Sequence, residues 1–396
     1  MADYQRERKQ GRLTPRTTSL YLFVVFLLYR EDNVSVFKTI SKIVKSIFPK
    51  ADKVNMMPSK RITTTSNITS KSDIKLVYKQ KLSNGLYPGE IVLLDWLINK
   101  TTNVNYPGYF YFRYGIDAPR SAKKLIKRSY LTDGSLMDSL PALKVNELKS
   151  ILRDNDLKVS GVKKELIQRI QTKLSDKHIS KYIDETKLVL TTKGKKVIDK
   201  YYYIPHAHKY GEENGFYDVA SAISYMENIE PGSAPSNNKI AWVLYERAYK
   251  NASKQKMYGL MRNALLKMAQ LLEKNKKYNQ ALTYYIKVII SDLSGLSNQY
   301  LFHPKQAVCL PYLNEKVTKL MRKTNTQTLE SDFNNAWDFV RPTLVFHYLS
   351  KQKCFECVEN CIKGNYVAVE KELMKSFTKV NRTELQKKHN IYIPED

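Results

Sequence analysis

Cysteine is scarce in this chain, and its apolar runs are short. Four cysteines among 396 residues are too few for a disulfide scaffold, so a reducing compartment is expected. The apolar run from Leu20 to Tyr29 is shorter than the roughly 20 residues that span a bilayer. Charged residues follow it directly, where a signal peptide would have a small-residue cleavage site. We therefore interpret this run as a buried element, or as a leader upstream of the natural start, rather than as a membrane anchor.

Motifs of catalysis are also missing. The sequence has no phosphate-binding glycine loop, no Ser/His/Asp spacing and no H-E-x-x-H pair. Its acidic residues are scattered among lysines, and the pair His206 and His208, interpreted as lying on a strand, has no carboxylate or cysteine at ligand spacing. The sequence therefore predicts a protein that is not an enzyme and uses no cofactor.

Three of the cysteines form an incomplete metal-binding pattern. Cys354, Cys357 and Cys361 spell C-x2-C-x3-C, which would need a fourth ligand such as His347 or Cys309. Positions three and seven apart share one face of a helix, and cysteine outside disulfides is among the most buried residue types. We therefore predict core packing rather than a zinc site.

Positive charge, by contrast, is abundant. The formal net charge is +28, and the first 130 residues carry 24 basic against 9 acidic side chains. Such an excess predicts a polyanionic partner, with nucleic acid first and an anionic membrane surface second. Residues 1–73 add an amphipathic stretch, Phe37 to Phe48, and a Ser/Thr/Lys-rich linker, so we interpret them as a basic N-terminal extension.

The pattern between Leu143 and Ile170 is the most informative in the chain. Apolar residues recur at helical spacing on both sides of a tight link, Asn155 to Gly161, which carries two short apolar plugs, Leu157 and Val159. Two amphipathic helices joined in this way bury their apolar stripes against each other. Residues 143–174 resemble the SAP motif, a helix–link–helix module found mainly in DNA-binding proteins, and its most telling positions carry the expected residues: Ser160, Gly161, Lys163, Leu166 and Arg169.

The second of these helices carries the residues that we expect to contact DNA. Ser160 is predicted to cap the helix, Gly161 lets the backbone turn closely into it, and the N–H groups at its start attract a phosphate. The chain departs from the family at Lys144, where a Ser or Thr usually caps the first helix, and at Asp156, which replaces the usual glycine of the link. The residues of this module predicted to bind DNA are Lys158, Ser160, Gly161, Lys163, Lys164 and Arg169.

Another basic helix precedes this module. Asp117 is predicted to cap it, with Pro119 in its first turn and its cations facing outwards. The elements around it resemble a winged helix-turn-helix, whose L-T-x-x-G pattern appears late, at Leu190 to Gly194. The economical interpretation is that the SAP-like module is inserted into the wing of a winged-helix domain at 74–204. The predicted DNA-binding residues of this helix are Arg120, Lys123, Lys124 and Lys127.

Long amphipathic helices fill the chain after the Pro- and Gly-containing segment 230–238. The apolar spacing from Leu265 to Val288 resembles one tetratricopeptide helical pair, and Gly364 repeats the turn signature. Because the period is not kept in between, residues 239–396 are predicted to form an irregular helical solenoid, with a plain helical bundle as the alternative. The whole chain is therefore expected to be mainly α, with α+β character at the centre.

Two functions from different classes fit these features. The leading hypothesis is a non-enzymatic DNA-binding protein that contacts the phosphate backbone of duplex DNA, while its C-terminal helical domain engages a protein partner. The resemblance adds a preference for A·T-rich duplexes. The alternative is a protein-interaction adaptor whose basic N-terminal region docks to an anionic membrane surface or to nucleic acid. The first hypothesis places the protein in the cytoplasm, with the nucleoid of a bacterium or phage-infected cell, or in a eukaryotic nucleus.

Overall fold

The described residues fold mainly into helices around one small sheet. In the computed structural model these residues are 74–394 except 102, 184, 231, 308–310 and 325–328, and all lie in the compact unit Thr69–Asp396. The expected fold class, mainly α with a little β at the centre, is confirmed. The apolar run 20–29, the amphipathic stretch 37–48 and the linker that follows lie outside the described residues. Within them, no helix is long and apolar enough to cross a membrane.

The elements follow one another along the chain with short connections. Those before the long C-terminal helices are α1 (Leu76–Lys79), α2 (Pro88–Leu97), α3 (Tyr109–Phe112), α4 (Ala118–Lys127), β1 (Leu131–Asp133), α5 (Leu136–Ser139), α6 (Val145–Arg153), α7 (Lys163–Lys173), α8 (Asp176–Ile179), β2 (Leu188–Leu190), α9 (Thr192–Lys200), α10 (Tyr203–Tyr210) and α11 (Val219–Glu227). The rest are α12 (Asn237–Lys254), α13 (Tyr258–Lys274), α14 (Tyr278–Leu293), α15 (Pro304–Ala307), α16 (Pro311–Thr324), α17 (Leu329–Val340), α18 (Lys351–Ile362), α19 (Tyr366–Phe377) and α20 (Arg382–His389).

The two strands form the stem from which the chain between them emerges. β1 and β2 pair in antiparallel fashion, with Leu131 opposite Leu190. Beyond the last pair, the Gly134 N–H donates to the Lys187 carbonyl at 2.9 Å. The chain therefore leaves the sheet at Gly134 and returns at Lys187 through adjacent positions, as an insertion requires.

α9 is held against the start of β1 by the L-T-x-x-G pattern. The Thr191 hydroxyl accepts from the Gly194 N–H at 3.1 Å and so caps the helix. A Cβ at Gly194 would lie 2.0 Å from the Tyr130 carbonyl oxygen, so only glycine allows this approach. The pattern thus has a packing role here, and the winged-helix resemblance of the surrounding elements stays a prediction.

Three separate hydrophobic cores build the described chain. The first joins α1–α4, β1 and α9–α11 to the early part of α12, and the second fills the insertion between Leu140 and Ile183. The third runs from Tyr249 on α12 to Ile393. The single helix α12 therefore contributes to two cores, and the change from one to the other falls between Leu244 and Tyr249 rather than in the preceding loop. The predicted domain limits, 74–204 and 239–396, stay a prediction.

The C-terminal helices pack as antiparallel hairpins with similar turns. The turns at Lys256, Lys276 and Gly364 each place one residue at positive φ, between 56° and 77°. The predicted apolar face is buried, including Leu265, Ala281 and their neighbours. The connection from α14 to α16 is instead irregular and forms isolated bridges such as Leu296 with Leu301. The helical character of this region is confirmed, whereas its likeness to tetratricopeptide pairs stays a prediction.

The two histidines, which were interpreted as lying on a strand, lie on a helix instead. His206 and His208 are on α10, where the triple-tyrosine segment before them starts the helix. His206 Nδ1 lies 2.7 Å from the Tyr217 hydroxyl, and His208 Nδ1 lies 2.8 Å from the Tyr114 hydroxyl. Residues two apart on a helix point in different directions, so the two rings face different partners.

The three clustered cysteines pack in the C-terminal core. Cys354, Cys357 and Cys361 lie on the buried face of α18, and burial raises the pKa of Cys357 to about 12. Cys354 Sγ lies 3.9 Å from His347 Nε2, which also lies 3.0 Å from a backbone carbonyl oxygen. Within the part of the chain that the structure describes, no three metal-ligand side chains come together, and Cys309 lies outside that part.

Candidate nucleic-acid interface

The helical pair α6 and α7 builds most of the core of the insertion. Fully buried residues of both helices, together with Leu140 and Ile179 from the flanking elements, form this core: Leu148, Ile151, Leu152, Leu166 and Ile170. The plugs of the link, Leu157 and Val159, pack against this core as predicted. Because the apolar stripes of both helices face this core, their charged faces and the polar residues of the link such as Lys158 and Ser160 are left to solvent.

The link turns through Asp156, which replaces the family's glycine. Its φ is +55°, a conformation that glycine adopts freely and that Asp tolerates better than most residues. The Asn155 amide donates to the Ile151 carbonyl at 2.8 Å and fixes the end of α6. The substitution therefore keeps the turn and places an exposed carboxylate in the link.

The start of α7 differs from the prediction that Ser160 caps it. The helix begins at Lys163, its N-cap is Val162, and no side chain accepts a hydrogen bond there as a cap. Gly161, with φ of +130°, turns the chain before the helix begins. Ser160 precedes this turn and is therefore not the N-cap residue. Lys163 and Lys164 are nevertheless the first two helical residues, as expected, and their N–H groups have no acceptor within the helix.

Glu165 supplies part of the negative charge that this helix end favours. Its carboxylate accepts from the Val162 N–H at 3.1 Å. An acid in the first turn interacts favourably with the helix dipole. The helix end therefore does not need an external anion for its stability, and attraction of a phosphate depends on the lysines around it.

Lys163 and Lys164 at the start of α7, and Lys158 in the link before it, have no carboxylate partner among the described residues. Lys158 and Lys164 are exposed, and their ammonium groups make no hydrogen bond or ion pair within the described chain. Lys163 is half-buried, and its Nζ donates to the Pro141 carbonyl at 2.7 Å, which leaves its charge uncompensated. Cations that are exposed and unpaired are the groups that can neutralise phosphates.

Arg169 has a structural role that the sequence did not indicate. Its Nη1 donates to the carbonyl oxygens of Lys158 and Ser160, at 2.6 and 3.1 Å. These bonds fix the link against α7 and hold the backbone next to Lys158. Arg169 therefore positions the link, and its guanidinium is only partly available to a ligand.

The cations of the second predicted surface, on α4, lie in two different environments. Asp117 caps the helix by accepting from the Arg120 N–H at 3.0 Å. Arg120, Lys123 and Lys127 are exposed at spacings of three and four, on one face. Lys124 is different, because its Nζ donates to the carboxylate of Glu90, which is 2% exposed, at 3.0 Å. A lysine that compensates a buried acid is not available to a phosphate.

The basic helix α9, which lies beside α4, was not among the predicted DNA-binding elements. Lys193 on α9 donates to the Arg128 carbonyl at 2.9 Å, directly after α4 ends. Lys195 and Lys196 follow it and are exposed. The three lysines at positions 193, 195 and 196 were visible in the sequence, but their position beside α4 depends on the β1–β2 pairing across the insertion.

The comparison with protein-family models covers the helical pair. Residues 139–172 match the family model of the SAP domain. No curated protein matches the chain. The chain thus contains a SAP domain, which indicates a nucleic acid as partner.

Proposed function

We propose that this chain, with its SAP domain at residues 139–172, is a non-enzymatic protein that binds the phosphate backbone of duplex DNA. The main contact is the start of α7, and the exposed cations of α4 form a second one. The observation that carries the proposal is that α7 begins at Lys163 and Lys164 without a side-chain cap, and that these lysines and Lys158 of the link have no carboxylate partner in the described residues. The phosphates of a duplex would supply negative charge opposite these three lysines.

This surface carries the kinds of group that proteins use to bind phosphate. Backbone N–H groups at a helix start and flexible lysines bind phosphate oxygens without reading bases. Affinity should therefore fall steeply with salt, by roughly −0.9 in log–log slope for each neutralised phosphate. The preference for A·T-rich duplexes that the SAP resemblance implies would have to come from groove shape, and matched A·T and G·C duplexes test it.

The decisive experiment is the double variant Lys163→Glu/Lys164→Glu in the full chain. Affinity for a labelled duplex should fall more than about tenfold near 0.1 M salt. The log–log slope of affinity against salt should become shallower by the amount expected for the loss of one to two phosphate contacts. Acids in the first turn are compatible with the helix, so the variant should stay folded. Fluorescence anisotropy over a salt series measures both effects.

The matched control is Lys387→Glu/Lys388→Glu, which makes the same charge change at two exposed neighbours on α20. Its duplex affinity should stay close to that of the natural chain, apart from the small effect of net charge. If the two variants lose affinity equally, the α7 surface is not the binding site and bulk charge accounts for the binding.

The C-terminal helical region is the proposed contact for a protein partner. Aromatic side chains line part of it, with Tyr249 stacked on Phe339, which is 41% exposed. Exposed aromatic side chains are common in protein interfaces. In the adaptor hypothesis, the main function is protein binding by this C-terminal region. The N-terminal extension then only attaches the protein to a membrane surface or to nucleic acid. Flotation of residues 36–50 with anionic liposomes, beside duplex gel shifts of the full chain, separates the two hypotheses.

A further inference from the structure

A cleft lies where the first core meets the C-terminal helices. It has a volume of about 210 Å³ and is formed by α10, the loop after it, α12 and α13. We call it the Tyr210 cleft. Aromatic, cationic and amide side chains line most of it, together with the acid Glu212 and the apolar residues Ala241 and Leu271; the first three classes include Tyr210, Tyr245, Lys267, Lys274 and Gln270. It is separate from α4, α7 and the SAP domain.

One wall of the cleft is aromatic. The ring of Tyr210 is 50% exposed and lies 4.6 Å from the ring of His206. Tyr217 and Tyr245 continue the wall, with their rings 6.4 Å apart in an edge arrangement. Burial and the nearby Lys274 lower the pKa of His206, which favours the neutral form of its ring. The wall therefore offers neutral, planar groups.

The opposite wall is a polar line along α13. Lys267, Gln270 and Lys274 follow one another at spacings of three and four, so they share one helical face. Lys267 pairs with Glu212 at the rim. Lys274 is exposed and has no carboxylate partner in the described residues, and its Nζ lies 4.0 Å from the centre of the Tyr210 ring.

We propose that the Tyr210 cleft binds one unpaired nucleotide of a nucleic-acid strand, with the base against the aromatic wall and the phosphate on Lys274. Aromatic side chains beside flexible cations are the means by which proteins hold unpaired nucleotides without reading their sequence. The ammonium of Lys274 can follow a phosphate, since it ends a flexible stem and is held at Tyr210 only by its attraction to the ring. This site extends the proposed function from duplex to single-stranded segments. It rests on that function only in taking a nucleic acid as the ligand.

The probe is a fluorescein-labelled oligothymidylate of about five nucleotides, added to the full chain and followed by anisotropy. Tyr210→Ala should weaken binding roughly tenfold, because it removes the stacking surface, and Tyr210→Phe should keep it. Lys274→Gln should weaken binding about threefold and reduce the salt slope by about 0.7. The thermal midpoint is recorded for each variant, and the exposure of both side chains predicts little change.

Matched controls come from other exposed positions. Lys254 ends α12 as Lys274 ends α13, so Lys254→Gln is the control for the charge. Tyr111, which is 42% exposed, supplies Tyr111→Ala as the control for the ring. Neither change should alter binding of the oligothymidylate.

The outcomes separate this site from the SAP domain. Lys163→Glu/Lys164→Glu should lose the duplex and keep the oligothymidylate; loss of duplex binding alone therefore leaves the cleft intact. If the natural chain binds the oligothymidylate but no duplex, the proposed function fails and the cleft stands. Equal binding by the cleft variants and their controls overturns the cleft. An effect of Lys274→Gln without any effect of Tyr210→Ala, with competition by inorganic tripolyphosphate, also overturns it in favour of simple anion binding.

Discussion

Lys287 is a buried cation in the C-terminal core, and none of the described acidic residues compensates its charge. It is 7% exposed, and its Nζ lies 3.6 Å from the centre of the Phe339 ring and 4.0 Å from that of Tyr284. No carboxylate oxygen of the described residues lies within ion-pair distance. Burial lowers its pKa to about 8. The attraction of the two rings offsets only part of the cost of burial.

Replacing this lysine should stabilise the protein. The substitution Lys287→Met keeps most of the volume and removes the charge, so the free energy of unfolding near pH 7 should rise by up to about 3 kcal/mol. Lys254→Met, at an exposed position, should leave it nearly unchanged. Chemical denaturation of both variants and the natural chain measures the difference.

The same lysine should make stability depend on pH in a definite direction. Its pKa is about 8 in the folded chain and 10.5 in the unfolded chain, so the unfolded chain binds more protons between these values. Stability of the natural chain should therefore increase as pH rises above 8, and the increase should be smaller in Lys287→Met. Equal slopes for the two proteins between pH 7 and about 9.5 would contradict this account.

At single residues, the sequence predicted positions better than roles. Lys163 and Lys164 do begin α7, and Asp117 does cap α4. Arg169 and Lys124 were also expected to bind DNA, yet their donors reach a backbone carbonyl and a buried acid. These partners lie 11 and 34 residues away, and a side chain's distant partner cannot be read from local spacing.

At the scale of elements, the SAP helices and the C-terminal helices were predictable because their apolar stripes are local. The sheet was harder, since β1 and β2 have three residues each and pair across the whole insertion. The LTTKG pattern was the one local signal for this pairing. It locates α9 because Gly194 must approach the Tyr130 carbonyl.

The insertion should be removable without unfolding the rest. Residues 135–186 have their own core, and Gly134 and Lys187 are joined by a backbone hydrogen bond. Replacing them by Asn-Gly, which favours the tight turn of a two-residue hairpin, should keep the thermal midpoint within about 3 °C. Duplex affinity should fall at least roughly tenfold, because the α7 phosphate contacts are gone.

Calorimetry and anisotropy test the two halves of this prediction separately. A shortened chain that is unfolded would show that the insertion supports the first core, contrary to the separation of their buried residues. A folded shortened chain that binds duplex as the natural chain does would remove the SAP domain from binding.

At the scale of the whole molecule, α12 joins two cores through one continuous backbone. Ile240 and Leu244 lie in the first core, and Tyr249 and Ala252 lie in the third. The sequence marked a boundary at the loop before this helix, because proline and glycine are local signals. A change of core within a helix leaves no such signal, since the helical period continues through it.

Breaking α12 between the cores should separate their unfolding. Arg247 is exposed and lies between Leu244 and Tyr249, so Arg247→Pro removes a helical hydrogen bond there without disturbing buried side chains. It should destabilise the protein by about 3 kcal/mol or more and turn one calorimetric transition into two. Arg247→Ala is the control and should keep a single transition. Two transitions already in the natural chain would show that α12 does not couple the cores.

The hydrogen bond between Gly134 and Lys187 also has a consequence for transfer to other proteins. A segment whose ends are joined at 2.9 Å and that carries its own apolar interior can be spliced into a host hairpin without opening the host's backbone. Residues 135–186 could therefore serve as a portable cassette. Any antiparallel pair with a hydrogen-bonded final position is a suitable acceptor for it.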